Sequence, residues 1–247
     1  LAASLLKKRA LLPFANKFEN ISFHWSYARI LFYAHFLDEA YEASIKALDL
    51  SLSTKDKALY IKLLERSAFY AMHSKQYQKS TDLYIKFLKN KEKISSENLA
   101  KAYLNLGFNS FKLAKHQEAN DYLLNSLKLS LSLQREEDHH NKLIRFYPER
   151  LLLLIYGLLD KVQKDPFKSL NYRYKRYEVI NKILKNSNDY DLNVESLKLQ
   201  RLYDINRVYA LYYQLGNVDK AFDIALEAIK HSDERAEDQD DFFEINH

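Results

Sequence analysis

Cysteine is absent from this 247-residue chain, and glycine and proline occur only three times each. Without cysteine there are no disulfides, no thiolate nucleophiles and no cysteine-ligated metal sites. Average usage is about 7% glycine and about 5% proline, so the shortage of both is severe. Glycine supplies the positive-φ positions of hairpin turns and phosphate-cradling loops. Gly107, Gly157 and Gly216 each stand alone, so neither G-x-G-x-x-G nor G-x-x-x-x-G-K-[ST] can be written anywhere. Nucleotide chemistry built on those loops is excluded. Long apolar runs are missing too. The longest, Leu151 to Leu159, lies between Arg150 and Asp160 and falls far short of the roughly 20 residues that span a bilayer. It reads as a buried helix.

Catalytic patterns are equally scarce. There is no H-E-x-x-H and no G-x-S-x-G. His139 and His140 are adjacent, and on a helix they would diverge by about 100° rather than share a metal. Glu136 to His140 reads as a polar interhelix loop. No catalytic residue, cofactor or metal site is predicted, and the chain is read as non-enzymatic.

What is present is helical. With 47% hydrophobic and 29% charged residues, the composition is globular rather than disordered. Apolar residues recur at helical spacing almost throughout, with no sustained two-residue alternation. Pro13 is predicted to end a short first helix. Asn20 is read as the cap of a helix to about His35, Asp38 as the start of one to about Ser51. Further helices are expected from after Thr54 to Ser74, from Gln76 to Asn90, from Ser95 to about Lys115 and over Gln117 to Leu133. Pro148 and the Asp165-Pro166 pair mark later helix starts, because a proline at the first helical position gives up no hydrogen bond. Asn217 caps the last helix after a turn at Gly216.

Charge divides the chain. Asp233 to His247 carries seven acidic residues and one basic residue. Of the 38 basic and 33 acidic residues, 37 and 26 therefore belong to the body, which is +11 against a tail of −6. The chain opens at Leu1 and its single methionine is Met72, so a preceding region is expected. Lack of cysteine leaves the compartment open, with the cytoplasm slightly favoured over the periplasm.

Consecutive helical hairpins of similar length prompt a search for a repeat. Leu106, Gly107, Ser110, Ala114, His116 and Ala119, continuing into Leu123, Ser126 and Leu127, have a counterpart further on. It is Val208, Tyr209, Tyr212, Gly216, Val218 and Ala221, continuing into Ala225, Ala228 and Ile229. Weaker copies run through Ala28, Leu37, Ala40, Ala47 and Leu48, and through Ala68, Tyr77, Ser80, Tyr84 and Leu88. Helix spacing alone leaves another α-solenoid or an irregular bundle open. The full pattern resembles the tetratricopeptide repeat, in which two antiparallel helices meet through small residues. Gly107, Ala119, Ala221 and Ala228 match those small positions, and Gly216 matches the turn. The marker opening each second helix falls at Ala40, Ser80 and Ala119, a period near 40 where the family's usual one is about 34.

The resemblance implies an all-α, right-handed superhelix of about five antiparallel hairpins, a divergent tetratricopeptide-like α-solenoid. The expected organisation is an N-terminal helix and connector over 1–19, the repeat domain over 20–232 and the acidic tail over 233–247. Within the repeat domain, 146–187 is expected to form an irregular hairpin. Pro166 falls in its turn, and Arg173 and Arg176 stand where the motif wants apolar or small residues.

In such a solenoid the first helices of successive hairpins line a groove that captures a peptide. Matching each repeat assigns Trp25, Arg29, Phe32 and Tyr33 to that face from the first copy. Lys62, Glu65, Arg66, Phe69, Met72 and His73 come from the second copy. Lys101, Leu104, Asn105, Phe108, Phe111 and Lys112 come from the third, and Tyr203, Asn206, Tyr213 and Gln214 from the last. The mixture of cations and rings favours an acidic partner with aromatic anchors. One subfamily clamps a C-terminal carboxylate through lysines and asparagines. Trp25, Arg29 and Arg66 replace three of those residues and only Lys101 matches, so that clamp is not predicted.

The reading is thus a protein-interaction scaffold binding an acidic, aromatic peptide segment or partner protein, within a larger assembly. The tail itself holds Asp240, Asp241, Phe242 and Phe243, a segment suited to self-association with the groove. The first alternative is the peptide-sensing domain of a transcriptional regulator. The second is nucleic-acid binding through the basic, aromatic stretch Tyr172 to Lys185, an unfavoured reading. On a helix, Tyr174 and Tyr177 are expected to face the core there, with Arg173 and Arg176 towards solvent.

Overall fold

Helix signals in the sequence become ten helices among the described residues, which are 9, 13–137, 148–185 and 194–230 of a computed structural model. They are α1 (Lys17–Tyr33), α2 (Leu37–Leu52), α3 (Lys57–His73), α4 (Tyr77–Leu88), α5 (Ser96–Lys112) and α6 (His116–Glu137). Then follow α7 (Pro148–Val162), α8 (Pro166–Lys185) and α9 (Val194–Gln214), and a last helix, α10, over 218–230. No strand occurs among the described residues. The expected first helix before Pro13 (apart from Arg9, which is helical), the His139–His140 loop and the tail from Asp233 lie outside them.

Most boundaries fall where capping chemistry puts them. Asp56 and Ser95 accept the backbone N–H of Leu59 and Asn98, satisfying donors that a helix start leaves free. Asp165 does the same for Phe167, with Pro166 at the first helical position. One cap is corrected: α1 starts four residues earlier than Asn20 suggests, because Asn16 Oδ1 accepts the N–H of Glu19 at 2.9 Å. Either asparagine can cap, and the earlier one wins with a carboxylate, Glu19, in the first turn.

The turns inside four hairpins share one construction. His35, Lys75, Ala114 and Gly216 all adopt left-handed φ values, 63°, 62°, 58° and 74°. In each turn the next residue's N–H reaches back to the carbonyl five positions earlier: Phe36 to Leu31, Gln76 to Ala71, Lys115 to Ser110 and Asn217 to Tyr212, at 2.8–3.0 Å. This is the Schellman arrangement, which closes a helix and aims the chain into the next one. Five residues after each left-handed position stands a small residue, Ala40, Ser80, Ala119 or Ala221, and each is at most 1% exposed. The repeat read from the sequence is therefore a repeated turn plus a repeated small contact.

Contacts divide the chain into two compact units, Leu1–Leu129 and Ser130–His247, with the division inside α6. In the first, α1 packs on α2, α2 on α3, α3 on α4 and α4 on α5. Its core joins Ile21, Leu48, Leu63, Leu64, Leu83, Tyr84, Phe87 and Leu106. Gly107 has the predicted job: a Cβ there would lie 2.6 Å from Leu123 Cγ on α6. Ser80 adds a polar link, donating to the Ala68 carbonyl and accepting from Asn109 Nδ2, both at 2.8 Å.

In the second unit, α7 packs on α8 and α8 on α9. Its apolar core gathers Leu170, Tyr177, Ile205, Val208, Ile224 and Ala228, beside Ile180, Ile183 and Leu197.

Candidate protein-binding face

Helical periodicity decides which side of each first helix is left over once the hairpin core is filled. On α1, Ile21, His24, Ala28 and Leu31 are buried. Trp25 and Phe32 are half-buried, while Arg29 and Tyr33 are exposed. On α3, Lys62 and Arg66 are exposed, and Phe69 and Met72 are half-buried. On α5, Lys101 and Lys112 are exposed, and Phe108 and Phe111 half-buried. Leu104 is buried instead, and Asn105 donates to the Tyr84 hydroxyl at 2.7 Å.

Several of these side chains meet between helices. The Phe32 ring lies 5.3 Å from Phe69 and 5.1 Å from His73, and Phe69 lies 4.3 Å from His73. Lys62 Nζ sits 4.6 Å from the centre of the Trp25 ring, within cation–π range. Lys112 Nζ lies 5.4 Å from the Phe108 ring, which also contacts Tyr77. Phe111 packs edge-on to His116. Glu65 carries the opposite charge in this region, pairing with Arg66 at 3.3 Å. Burial pushes its carboxyl pKa up, although Arg66, Lys101 and Lys62 pull the other way. Lys101 pairs with Glu97 one turn before it. Burial also holds the His73 imidazole below its ordinary value, which favours its neutral form at neutral pH.

Tyr203, Asn206, Tyr213 and Gln214 lie on α9 in the second unit, and all four are exposed. Tyr213 packs against Tyr209, with ring centres 6.2 Å apart.

The basic stretch on α8 is arranged differently from its sequence reading. Tyr177 is buried as expected and donates to Glu227, but Tyr174 is 37% exposed. Arg173 and Arg176 turn inward. Arg173 Nη2 bonds Asp160 at 2.5 Å, and Arg176 grips Asp204 through Nε, at 2.7 Å, and Nη2. Arg173 also stands 3.8 Å from Asp204. Both arginines are thus paired with carboxylates of α7 and α9. Gly157 is explained by the same cluster: a Cβ there would meet Arg176 Nη1 at 2.7 Å, so glycine admits a guanidinium rather than a closely crossing helix. Asp160 and Asp204 were not singled out in the sequence. Two isolated acids on amphipathic helices look like solvated surface until their arginine partners are placed.

Among the described residues no helix is long and apolar enough to cross a membrane, and no cluster of three metal-ligating side chains occurs.

The fold is similar to that of several solved structures. BtubC from P. vanneervenii gives a TM-score of 0.63 at 15% identity, over 95% of this chain and 90% of that one. The apo form of RapI gives 0.58 at 15% identity, over 94% and 92%. TPR-like repeats from Podosopora anserina, described as kinesin light chain, give 0.57 at 11% identity, over 90% and 99%. No family model and no curated protein matches the sequence. What the chain shares with these structures is its architecture: an all-α, tetratricopeptide-like array of helical hairpins.

Proposed function

We propose that the chain is a non-enzymatic interaction scaffold whose first unit captures an acidic peptide segment with aromatic anchors, within a larger assembly. The observation that carries this is the surface left on α1, α3 and α5. There the exposed cations Arg29, Lys62, Arg66, Lys101 and Lys112 surround the half-buried rings of Trp25, Phe32, Phe69, Phe108 and Phe111. Rings that are already half-buried lose little freedom on binding and present apolar area to an anchor. The surrounding cations supply long-range attraction for carboxylates, which salt weakens. Tyr203, Asn206 and Tyr213, the residues that repeat matching assigns from the last copy, are exposed on α9 of the second unit.

The chain carries a segment of that chemistry in Asp240, Asp241, Phe242 and Phe243. It is the first candidate ligand, from the same molecule or a neighbour. Fluorescence anisotropy with a labelled peptide of residues 240–245 tests the reading. Lys62→Glu with Arg66→Glu is expected to weaken binding at least tenfold, and truncation after residue 232 to strengthen it. Equal affinity for the parent chain and the charge-reversed variant would refute it.

A further inference from the structure

The α8 arginines line an open cleft of about 700 Å³ in the second unit, together with Lys161, Ser169, Gln200, Tyr203 and Arg207. Apart from Tyr203, the cleft shares no residue with the proposed peptide face. Its floor is costly to build. Asp204 is fully buried, Asp160 and Arg173 nearly so, and burial pushes the Asp204 pKa up in spite of the arginines beside it. Apolar residues of similar volume stabilise such positions as well as an ion pair does, or better. Stability alone therefore does not call for a guanidinium pair at two positions where the repeat takes small or apolar side chains.

The cluster also leaves donors over. Arg173 has five N–H groups. Among the described residues, Nη2 alone of its nitrogens is hydrogen-bonded, and Nε is buried without an acceptor. Two further cations, Lys161 and Arg207, stand on the rim, exposed, and neither is ion-paired among the described residues. Four cations thus face the two carboxylates Asp160 and Asp204, leaving an excess of two positive charges.

We propose that this cleft is an oxyanion site for a phosphate monoester, carried on a phosphorylated peptide side chain or a small molecule. A phosphate monoester brings about −1.5 to −2 charge at neutral pH and three acceptor oxygens, which matches the excess charge and the unused donors. Arginine forks and a lysine point charge are the side chains suited to it. Tyr203 and Leu199, both exposed at the cleft, give the rest of the ligand an apolar surface.

Calorimetry on the full chain in phosphate-free buffer tests this. The probes are a phosphoserine hexapeptide, its unphosphorylated and aspartate counterparts, and inorganic phosphate. The phosphopeptide is expected to bind at least tenfold tighter than either counterpart. Lys161→Ala with Arg207→Ala, both on the exposed rim, is expected to cost at least tenfold without changing Tm. Inorganic phosphate binding as tightly as the phosphopeptide, and equally lost in the variant, upholds the site and assigns it to small phosphates. Indifference to phosphorylation, or to the double variant, overturns the proposal. Lys62→Glu with Arg66→Glu leaves this binding unchanged, which separates the cleft from the peptide face.

Discussion

The first unit and the α7–α8 hairpin pack their helices by opposite means. In the first, helices approach through small residues, Ala40, Ala68, Ser80, Gly107 and Ala119, all buried. In the second, α7, α8 and α9 are joined by guanidinium and carboxylate groups, Arg173 with Asp160 and Arg176 with Asp204, while Lys182 reaches Glu149 at 2.8 Å. A helix interface can be closed by removing side chains or by pairing charges across it. Only the first solution repeats along the chain, because it needs one small residue at a fixed distance from a turn. The second needs partners from three helices at once.

This contrast predicts where substitution hurts most. Arg176→Met leaves Asp204 buried opposite Arg173 alone, and a broken buried pair costs about 3–5 kcal/mol. Urea denaturation is expected to show that loss, and adding Asp204→Leu to recover most of it. A double variant whose loss equals the sum of the two single losses would mean that the pair is not what joins α8 to α9.

Glycine substitutions sharpen the comparison at a lower cost. Gly107→Ala drives a methyl into Leu123, and overpacking of that kind costs about 1–3 kcal/mol. Gly157→Ala meets the tip of Arg176 instead. A flexible tip can retreat, but only by loosening its grip on Asp204. Gly157→Ala should therefore be nearly neutral once Arg176→Met is present, whereas Gly107→Ala keeps its full effect in that background.

The turns give a smaller test that spans both units. Left-handed backbone costs a residue with a Cβ about 1–2 kcal/mol relative to glycine, offset in part by the freedom glycine has when unfolded. Gly216→Ala is expected to lower stability by about 1 kcal/mol, and Ala114→Gly to raise it by no more than that. Thermal melts check both signs.

The smallest effect concerns Glu65. Its pKa is raised on folding, chiefly by burial, so its stabilising contribution is complete below the unfolded pKa and disappears as pH rises through the folded one. Glu65→Gln should therefore raise Tm slightly at neutral pH and leave it unchanged in acid. The opposite sign would mean that Arg66, Lys62 and Lys101 outweigh desolvation.

Much of this was legible in the sequence because the repeat rests on small residues, and small residues in a helical register are conspicuous. Ala40, Ser80, Ala119 and Ala221 marked the second helices of four hairpins, and Gly216 marked one turn. The left-handed backbone of the other three turns was hidden, since His35, Lys75 and Ala114 adopt it without glycine; hydrogen bonds to Leu31, Ala71 and Ser110 stabilise them. Repeat matching picked out the exposed cations and half-buried rings on α1, α3 and α5, but not that Leu104 is buried and that Asn105 bonds the Tyr84 hydroxyl. The inward arginines were not. Charge in a helical sequence defaults to the solvent side, and nothing in Tyr172 to Tyr177 names Asp160 or Asp204 as partners.

Trp25 is the chain's single tryptophan, and it lies beneath Lys62 on the proposed peptide face. Its emission therefore reports on that face alone. Titrating the chain truncated after residue 232 with the unlabelled peptide of residues 240–245 tests the central claim most directly. The account predicts a saturable change in Trp25 emission, with the same midpoint as anisotropy on the labelled peptide, and its loss in Lys62→Glu with Arg66→Glu. Peptide binding seen by anisotropy with Trp25 emission unmoved would contradict it.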